Sequence, residues 1–340
     1  MSDKTRSILI RLLTFGVGLG LLAAVLLSAD LEQVGQYLTQ VGVGFVLMVA
    51  VYKLAFVLDS WAWLLTLRNL PGRLIRVFRF WMVRMVGEAV NNATPRAGMG
   101  GEPVKVAILN RVYGTGYGDG YASIVLSRTT FALGLIPFLL IGFALLLMEP
   151  GVEAGFKWAA GTGLVALSAG ILAFFLIQRL KLTSRTGGWF ARLTARVGMT
   201  RFFDAVADFE DRLVDFYKHA PGRFPATVVF SFINWALGAP AVWIAFYLLG
   251  YPITLADAWV IEAVVQLVRV GVFFVPLAIG TQEGAFAVVV GALTGNPSLG
   301  VAAAVLPRCR EIIVIGAGLL MGPLIFGKSA MTPVPKEQSS

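Results

Sequence analysis

Long uninterrupted apolar stretches constrain the fold of this chain more than any other feature of its sequence. A helix of about 20 apolar residues crosses a hydrocarbon core roughly 30 Å thick. Six stretches meet that length, at about residues 8–28, 41–67, 120–148, 156–178, 224–249 and 300–326. They lack the alternation of a membrane β-strand, and charged residues form only 14% of the chain, against about a quarter in soluble domains. The sequence therefore predicts an all-α integral membrane protein.

Two further apolar regions, at about 77–111 and 257–294, are interrupted by glycine, proline and charged residues. Basic residues concentrate in the segments 68–119 and 179–223. The connections that have acidic residues and no basic residue lie at 29–40, 149–155 and 250–257. Because basic loops stay cytoplasmic, we expect both termini and both basic segments on the cytoplasmic side. This arrangement requires each interrupted region either to enter and leave on one side or to cross twice.

The two interrupted regions share a short motif, in which a glutamate follows a proline at the same spacing. The motif occurs at Pro95–Glu102 and at Pro276–Glu283. Each motif is followed downstream by a matching arginine, Arg128 or Arg308. The two motifs and the two arginines are separated by the same interval to within a single position, so the two matches support one another. When one half is shifted along the sequence by that interval, a span predicted to run inward falls on a span predicted to run outward. The two halves are therefore predicted to have opposite orientations in the membrane. Inverted repeats with broken helices are a transporter design whose substrate site lies at the repeat interface near mid-membrane.

We therefore predict one transmembrane domain over residues 1–328, with six full spans and two re-entrant, broken-helix regions arranged as an inverted repeat. The pseudo-repeats cover about 41–148 and 222–326. Between them, the connector 180–222 places apolar residues at helical spacing among aspartates, which indicates an amphipathic helix on the cytoplasmic surface. The polar tail 329–340 contains proline and is expected to be disordered.

Ionisable residues inside apolar helices are costly and usually functional, and this chain concentrates them near the two motifs. Two interpretations stay open: ion pairs that only hold helices together, or a polar cavity that receives a charged head group. Arginine favours the second because its planar guanidinium binds phosphate bidentately. The candidate substrate-binding residues are Arg84, Glu88, Asn91, Asn92, Pro95, Arg96, Glu102, Arg128, Glu262, Arg269, Pro276, Glu283 and Arg308. Other charges in the same regions are Lys53, Asp59, Arg310 and Glu311.

Helical spacing groups some of these side chains. Glu262, Gln266 and Arg269 recur at i, i+4 and i+7, which predicts a polar stripe on one face of an otherwise apolar helix. Asn91 and Asn92 either add neutral hydrogen bonds to the site or cap a helix, and the sequence does not favour one role over the other.

The sequence lacks the residues that most metal and cofactor chemistry needs. Cys309 and His219 are the only cysteine and histidine, which excludes an internal disulfide and a Cys/His metal site. No GxxxxGK[ST] loop occurs, so the chain is not an ATP-driven pump by itself. The net charge of +9 fits basic loops that face anionic lipid, and no nucleic-acid recognition motif accompanies it. We expect no cofactor, no metal, no nucleic-acid partner and no catalytic residue, although carboxylates alone are able to act as acid and base.

The stretch Gly87–Pro95, with Gly100–Glu102 and Arg111 after it, resembles the first signature of the flippase-like transmembrane family typified by lysylphosphatidylglycerol synthase membrane domains. Pro276–Gly284 resembles the second signature, with Leu277 where the family often has glycine. The resemblance covers nearly the whole chain. It implies a bacterial cytoplasmic-membrane protein that moves a lipid between leaflets.

The leading hypothesis is thus a lipid transporter or flippase, and its partners are membrane lipids with an anionic or amine-bearing head group. The alternative is a non-transporting membrane partner of a lipid- or glycan-synthesis enzyme. The sequence ends at residue 340, without the soluble aminoacyl-transferase domain of the full synthases. We therefore expect a stand-alone member of the family, without aminoacylation activity.

Overall fold

The computed structural model describes residues 31–67, 74–93, 100–180, 210–218, 222–272 and 278–326, and this part of the chain contains helices and no strand. In chain order the α-helices are α1 (Leu31–Val41), α2 (Phe45–Thr66), α3 (Leu74–Ala93), α4 (Gly101–Tyr113), α5 (Tyr117–Met148), α6 (Ala154–Arg179), α7 (residues 210–218), α8 (Arg223–Ala236), α9 (Gly238–Leu248), α10 (Leu255–Gly271), α11 (Thr281–Thr294) and α12 (Pro297–Phe326). A 3-10 turn, Gly42–Gly44, joins α1 to α2.

Four helical stretches are long and apolar enough to cross a membrane: Gly35–Thr66, Tyr117–Met148, Ala154–Arg179 and Arg223–Leu248. They coincide with four of the predicted spans, and the prediction of an all-α membrane protein is confirmed. The predicted span 300–326 lies within α12. The predicted span 8–28 and the predicted disordered tail lie outside the described residues, as does the predicted connector helix apart from α7.

Helix α6 has the surface of a lipid-facing helix. Among its 26 residues only Leu164 and Gln178 are buried, and its composition is strongly apolar. Trp158 and Val165 expose 75% and 69% of their surface. An apolar face of this size is unfavourable in water and favourable against lipid tails. The helix therefore belongs at the outer surface of a membrane-embedded bundle.

Each interrupted region folds as two helices, α3 and α4 in the first half and α10 and α11 in the second. Proline ends a helix because it lacks an N–H donor and restricts the residue before it. In sequence, the prolines of both motifs lie between the two helices of each pair, outside the described residues. Side chains satisfy backbone donors where the second helix of each pair begins. Asn91 Oδ1 accepts a hydrogen bond from the Gly101 N–H at 2.6 Å, and Glu283 Oε2 accepts one from the Gly280 N–H at 2.8 Å. Gly280 has a φ of +76°, a conformation that favours glycine.

The helices of the two halves follow the same order at a nearly constant interval. Three pairs of helices begin at the same sequence interval, to within a single position: α3 and α10, α4 and α11, and α5 and α12. The halves pack on one another where α5 meets α8 and where α12 meets α3. Both crossings are close at a glycine, because a Cβ on Gly134 would collide with the backbone of Phe232 and one on Gly318 with the Met85 carbonyl oxygen. Small residues thus bring the two halves into direct backbone contact.

Candidate functional site

The glutamates of the two motifs pair with the two matching arginines. In the first half, Arg128 Nη2 donates to Glu102 Oε1 at 2.7 Å, and in the second half Arg308 Nε donates to Glu283 Oε1, also at 2.7 Å. Each pair connects the short helix after a break to the long helix that follows it. The structure therefore forms, in both halves, the same pair between the residues that the sequence repeat makes equivalent.

A cavity of about 740 Å³ lies between the two halves and is lined by residues from both. Aromatic and aliphatic side chains form much of its wall. Its polar lining consists of Tyr52, Asp59, Arg84, Glu88, Asn91, Glu102, Arg128, Asn234, Glu262, Gln266, Arg269, Gln282 and Arg310. Four of these side chains are carboxylates and four are guanidiniums, so the cavity combines both charges in an apolar setting where uncompensated charge is costly.

The first half contributes a dense charge network to this cavity. Asp59 on α2 and Arg84 on α3 form an ion pair in which both side chains are almost fully buried. Glu102 accepts hydrogen bonds from Lys105 Nζ at 3.1 Å and from Arg128, and Asn91 Nδ2 approaches it at 3.4 Å. Cations and carboxylates thus neutralise one another at short range here.

Glu88 belongs to the same network. It lies in the field of three cations, Lys105, Arg128 and Arg84. The three carboxylates of this network, Glu88 with Asp59 and Glu102, are therefore balanced by three cations. This network has the composition expected of ion-paired side chains inside a membrane protein.

The second half contributes the predicted polar stripe of α10. Glu262, Gln266 and Arg269 all line the cavity, and Gln266 Nε2 donates to Glu262 Oε1 at 2.8 Å. Arg269 Nη2 reaches Glu311 Oε1 on α12 at 3.3 Å. The stripe therefore faces the cavity along its length and is tied to α12 at one end.

Arg308 and Glu283 lie beside the cavity and do not line it. Besides Glu283, Arg308 donates to Glu311 Oε2 at 3.0 Å and to the Ala278 carbonyl oxygen at 3.1 Å. These bonds fix the segment before α11 to α12. The neighbours Gln282 and Pro307 reach the cavity wall instead.

Arg310 lines the cavity, although it is not among the site residues predicted from the sequence. Its guanidinium carbon lies 3.7 Å from the centre of the Tyr52 ring, and its Nε is buried without a hydrogen-bond partner. The sequence carried a signal for it, because residues two apart on a helix point in nearly opposite directions. If Arg308 faces one neighbour, Arg310 faces another. The neutral lining residues Tyr52 and Asn234 carried no such signal.

The structure brings together seven of the residues predicted for the site. Those lining the cavity are Arg84, Glu88, Asn91, Glu102, Arg128, Glu262 and Arg269. Asn91 bonds the backbone at the start of α4, and it also lines the cavity. Asn92 belongs to α3, and its side chain is not among those described. Pro95, Arg96 and Pro276 lie outside the described residues.

Comparisons with known proteins cover both halves and the cavity between them. The family model described as the lysylphosphatidylglycerol synthase TM region matches residues 8–318. A UPF0104 membrane protein of Methanothermobacter thermautotrophicus is 23% identical over 331 residues, which cover 92% of this chain and 94% of that protein. No solved structure matches the chain.

Proposed function

Because the chain belongs to the lysylphosphatidylglycerol synthase TM region family, we propose that it is a membrane lipid transporter that moves a phospholipid or lipid-linked substrate between leaflets. The family membership confirms the resemblance drawn from the two sequence motifs. The observation that carries the proposal is the charged cavity that residues of both halves line. A polar head group would occupy this cavity while its acyl chains remain in the surrounding lipid.

The proposed architecture is the inverted repeat with six full spans and two re-entrant regions. Two observations support it: the helices recur in the same order at a nearly constant sequence interval, and equivalent Glu–Arg pairs form in each half. Transporters of this design place the substrate at the interface of the repeats. We further propose a bacterial cytoplasmic membrane as the location, with both termini on the cytoplasmic side.

The chain itself would perform transport without chemistry. A phosphate-binding loop is absent from the sequence, so movement would follow a lipid gradient or be coupled to an ion. Membrane lipids are the proposed partners, and a lipid-biosynthesis enzyme that supplies the substrate is a further one.

The test is a leaflet assay on the purified full-length protein in liposomes. Fluorescent phospholipids are incorporated, and their disappearance from the outer leaflet after quenching is followed over time. We expect at least one head-group class to exchange faster than in protein-free liposomes, with the lipid recovered chemically unchanged.

Two outcomes would contradict the proposal. Exchange at the protein-free rate for anionic, zwitterionic and polyprenyl lipids would favour the non-transporting partner of a synthesis enzyme. Recovery of a chemically modified lipid would identify an enzyme instead.

A further inference from the structure

Most charges around the cavity are neutralised by a neighbouring side chain. Asp59 pairs with Arg84, and Glu102 with Arg128 and Lys105. On the other side, Glu311 receives both Arg269 and Arg308, and Arg308 also holds Glu283. Such pairs are internally compensated and have little need of a ligand.

Arg310 differs from these arginines. Among the described residues no carboxylate lies within ion-pair distance of it, and its contact is the face of the Tyr52 ring. A ring face attracts the cation but does not use the guanidinium's N–H donors, of which arginine has five. The ammonium of Lys53 lies in the field of Arg310, and among the described residues its polar contacts are the Met85 sulfur and the Trp81 ring. Lys53 is not among the lining residues, so Arg310 is the group at this end of the cavity whose charge and planar fork suit a phosphate.

Glu262 is the counterpart on α10. Its hydrogen bond comes from the neutral amide of Gln266, and within the described part of the chain no cation forms an ion pair with it. Its carboxylate packs against the backbone of Gly238, where α8 gives way to α9, and a Cβ at that position would lie 2.8 Å from Oε1. A carboxylate accepts several hydrogen bonds, so Glu262 has capacity for a positively charged donor.

We propose that Arg310 and Glu262 form a subsite for a zwitterionic head group, in which Arg310 binds the phosphate and Glu262 binds an ammonium group. This proposal rests on the proposed function and names the class of lipid, one with a phosphoethanolamine-like head group. Both residues line the same cavity, and a charge left uncompensated in a membrane interior is costly. A head group with one negative and one positive charge compensates both residues at once. A purely anionic head group would satisfy Arg310 and leave Glu262 facing a like charge.

The experiment uses the full-length protein and two fluorescent lipids with identical acyl chains, a phosphatidylethanolamine and a phosphatidylglycerol. Binding in detergent micelles and translocation in liposomes are measured separately. We expect the wild type to bind the phosphatidylethanolamine about tenfold more tightly, because one charge-assisted hydrogen bond is worth about that factor. Glu262→Gln keeps the size of the side chain and should abolish this preference, whereas Glu262→Asp, which keeps the charge, should retain much of it.

Arg310→Gln should weaken binding of both lipids about tenfold, since both contain the phosphate. The matched controls are Glu153→Gln and Arg179→Gln, which remove the same charges from exposed residues at the ends of α6. Both controls should behave as the wild type. Monodisperse elution and an unchanged melting temperature establish that each variant is folded.

A preference that survives in Glu262→Gln, or a wild type that prefers the phosphatidylglycerol, would overturn the subsite. The two proposals fail in different ways. Charge-dependent binding of phosphatidylethanolamine without faster exchange would contradict transport and support the subsite. Faster exchange of both lipids, with no difference in their binding affinities, would support transport and overturn the subsite.

Discussion

Arg128→Ala and Arg308→Ala remove equivalent arginines from the two halves, yet the structure predicts very different effects on stability. The two ion pairs have the same length, 2.7 Å. Their surroundings differ: the Arg308 side chain is 21% exposed and pairs with Glu283 at 9%, whereas the Arg128 side chain is 43% exposed and pairs with Glu102 at 15%. When Arg128 is removed Glu102 keeps Lys105, but when Arg308 is removed Glu283 loses the cation paired with it.

These differences set the magnitudes. Removing one partner of a buried ion pair costs about 3–5 kcal/mol, and the partial exposure of Arg308 places Arg308→Ala near the lower end, at about 3 kcal/mol. Arg128→Ala should cost less, about 1 kcal/mol, because Arg128 is partly exposed and Glu102 keeps Lys105 as a partner. The double variant Arg308→Met with Glu283→Gln should lose less than Arg308→Met alone, because the glutamine keeps the Gly280 hydrogen bond and leaves no unpaired carboxylate.

The assay is unfolding of the purified protein by sodium dodecyl sulfate in mixed micelles, followed by tryptophan fluorescence. We expect Arg308→Ala to unfold at a clearly lower detergent fraction and Arg128→Ala to remain near the wild type. Equal destabilisation by the two alanine variants would refute the reasoning from burial. A double variant no more stable than Arg308→Met would refute the assignment of the cost to the unpaired Glu283.

Three further predictions follow from close contacts in the structure. Gly318→Ala should lower the free energy of unfolding by about 1–3 kcal/mol, because the added methyl group overpacks the crossing with α3. Gly316→Ala on the same helix has open space and should be neutral or slightly stabilising in the same thermal unfolding assay. Gly238→Ala should displace the Glu262 carboxylate, so lipid binding should change more than the melting temperature. Arg212→Ala should cost at most about 1 kcal/mol, because its aspartate partner on α5 and Arg212 itself are both exposed.

The sequence was sufficient for the features that depend on local composition. Spans such as 120–148 and 156–178 follow from the length of an apolar run, which needs no knowledge of neighbouring helices. The polar stripe of Glu262, Gln266 and Arg269 follows from helical spacing, and all three side chains do line one cavity.

Other features depend on how helices pack, which local patterns do not determine. Asp59 and Arg84 belong to different helices, and their pairing requires the approach of α2 to α3. Arg308 and Arg310 have the same chemistry and nearly the same position in sequence. The packing of α12 directs one into an ion-pair network and the other to the Tyr52 ring. The sequence therefore indicated a charged site but not which arginine lines it.

The most direct test of the central claim is to block the cavity reversibly during lipid exchange. In a Cys309→Ser background, Asn234→Cys places one thiol on the cavity wall, and Glu153→Cys places one on an exposed residue as the control. Each thiol is modified in liposomes with a charged methanethiosulfonate reagent, and lipid exchange is measured before modification, after it and after reduction. We expect exchange to stop in Asn234→Cys alone and to recover on reduction. Unchanged exchange after complete modification of Asn234→Cys would contradict passage of the head group through this cavity.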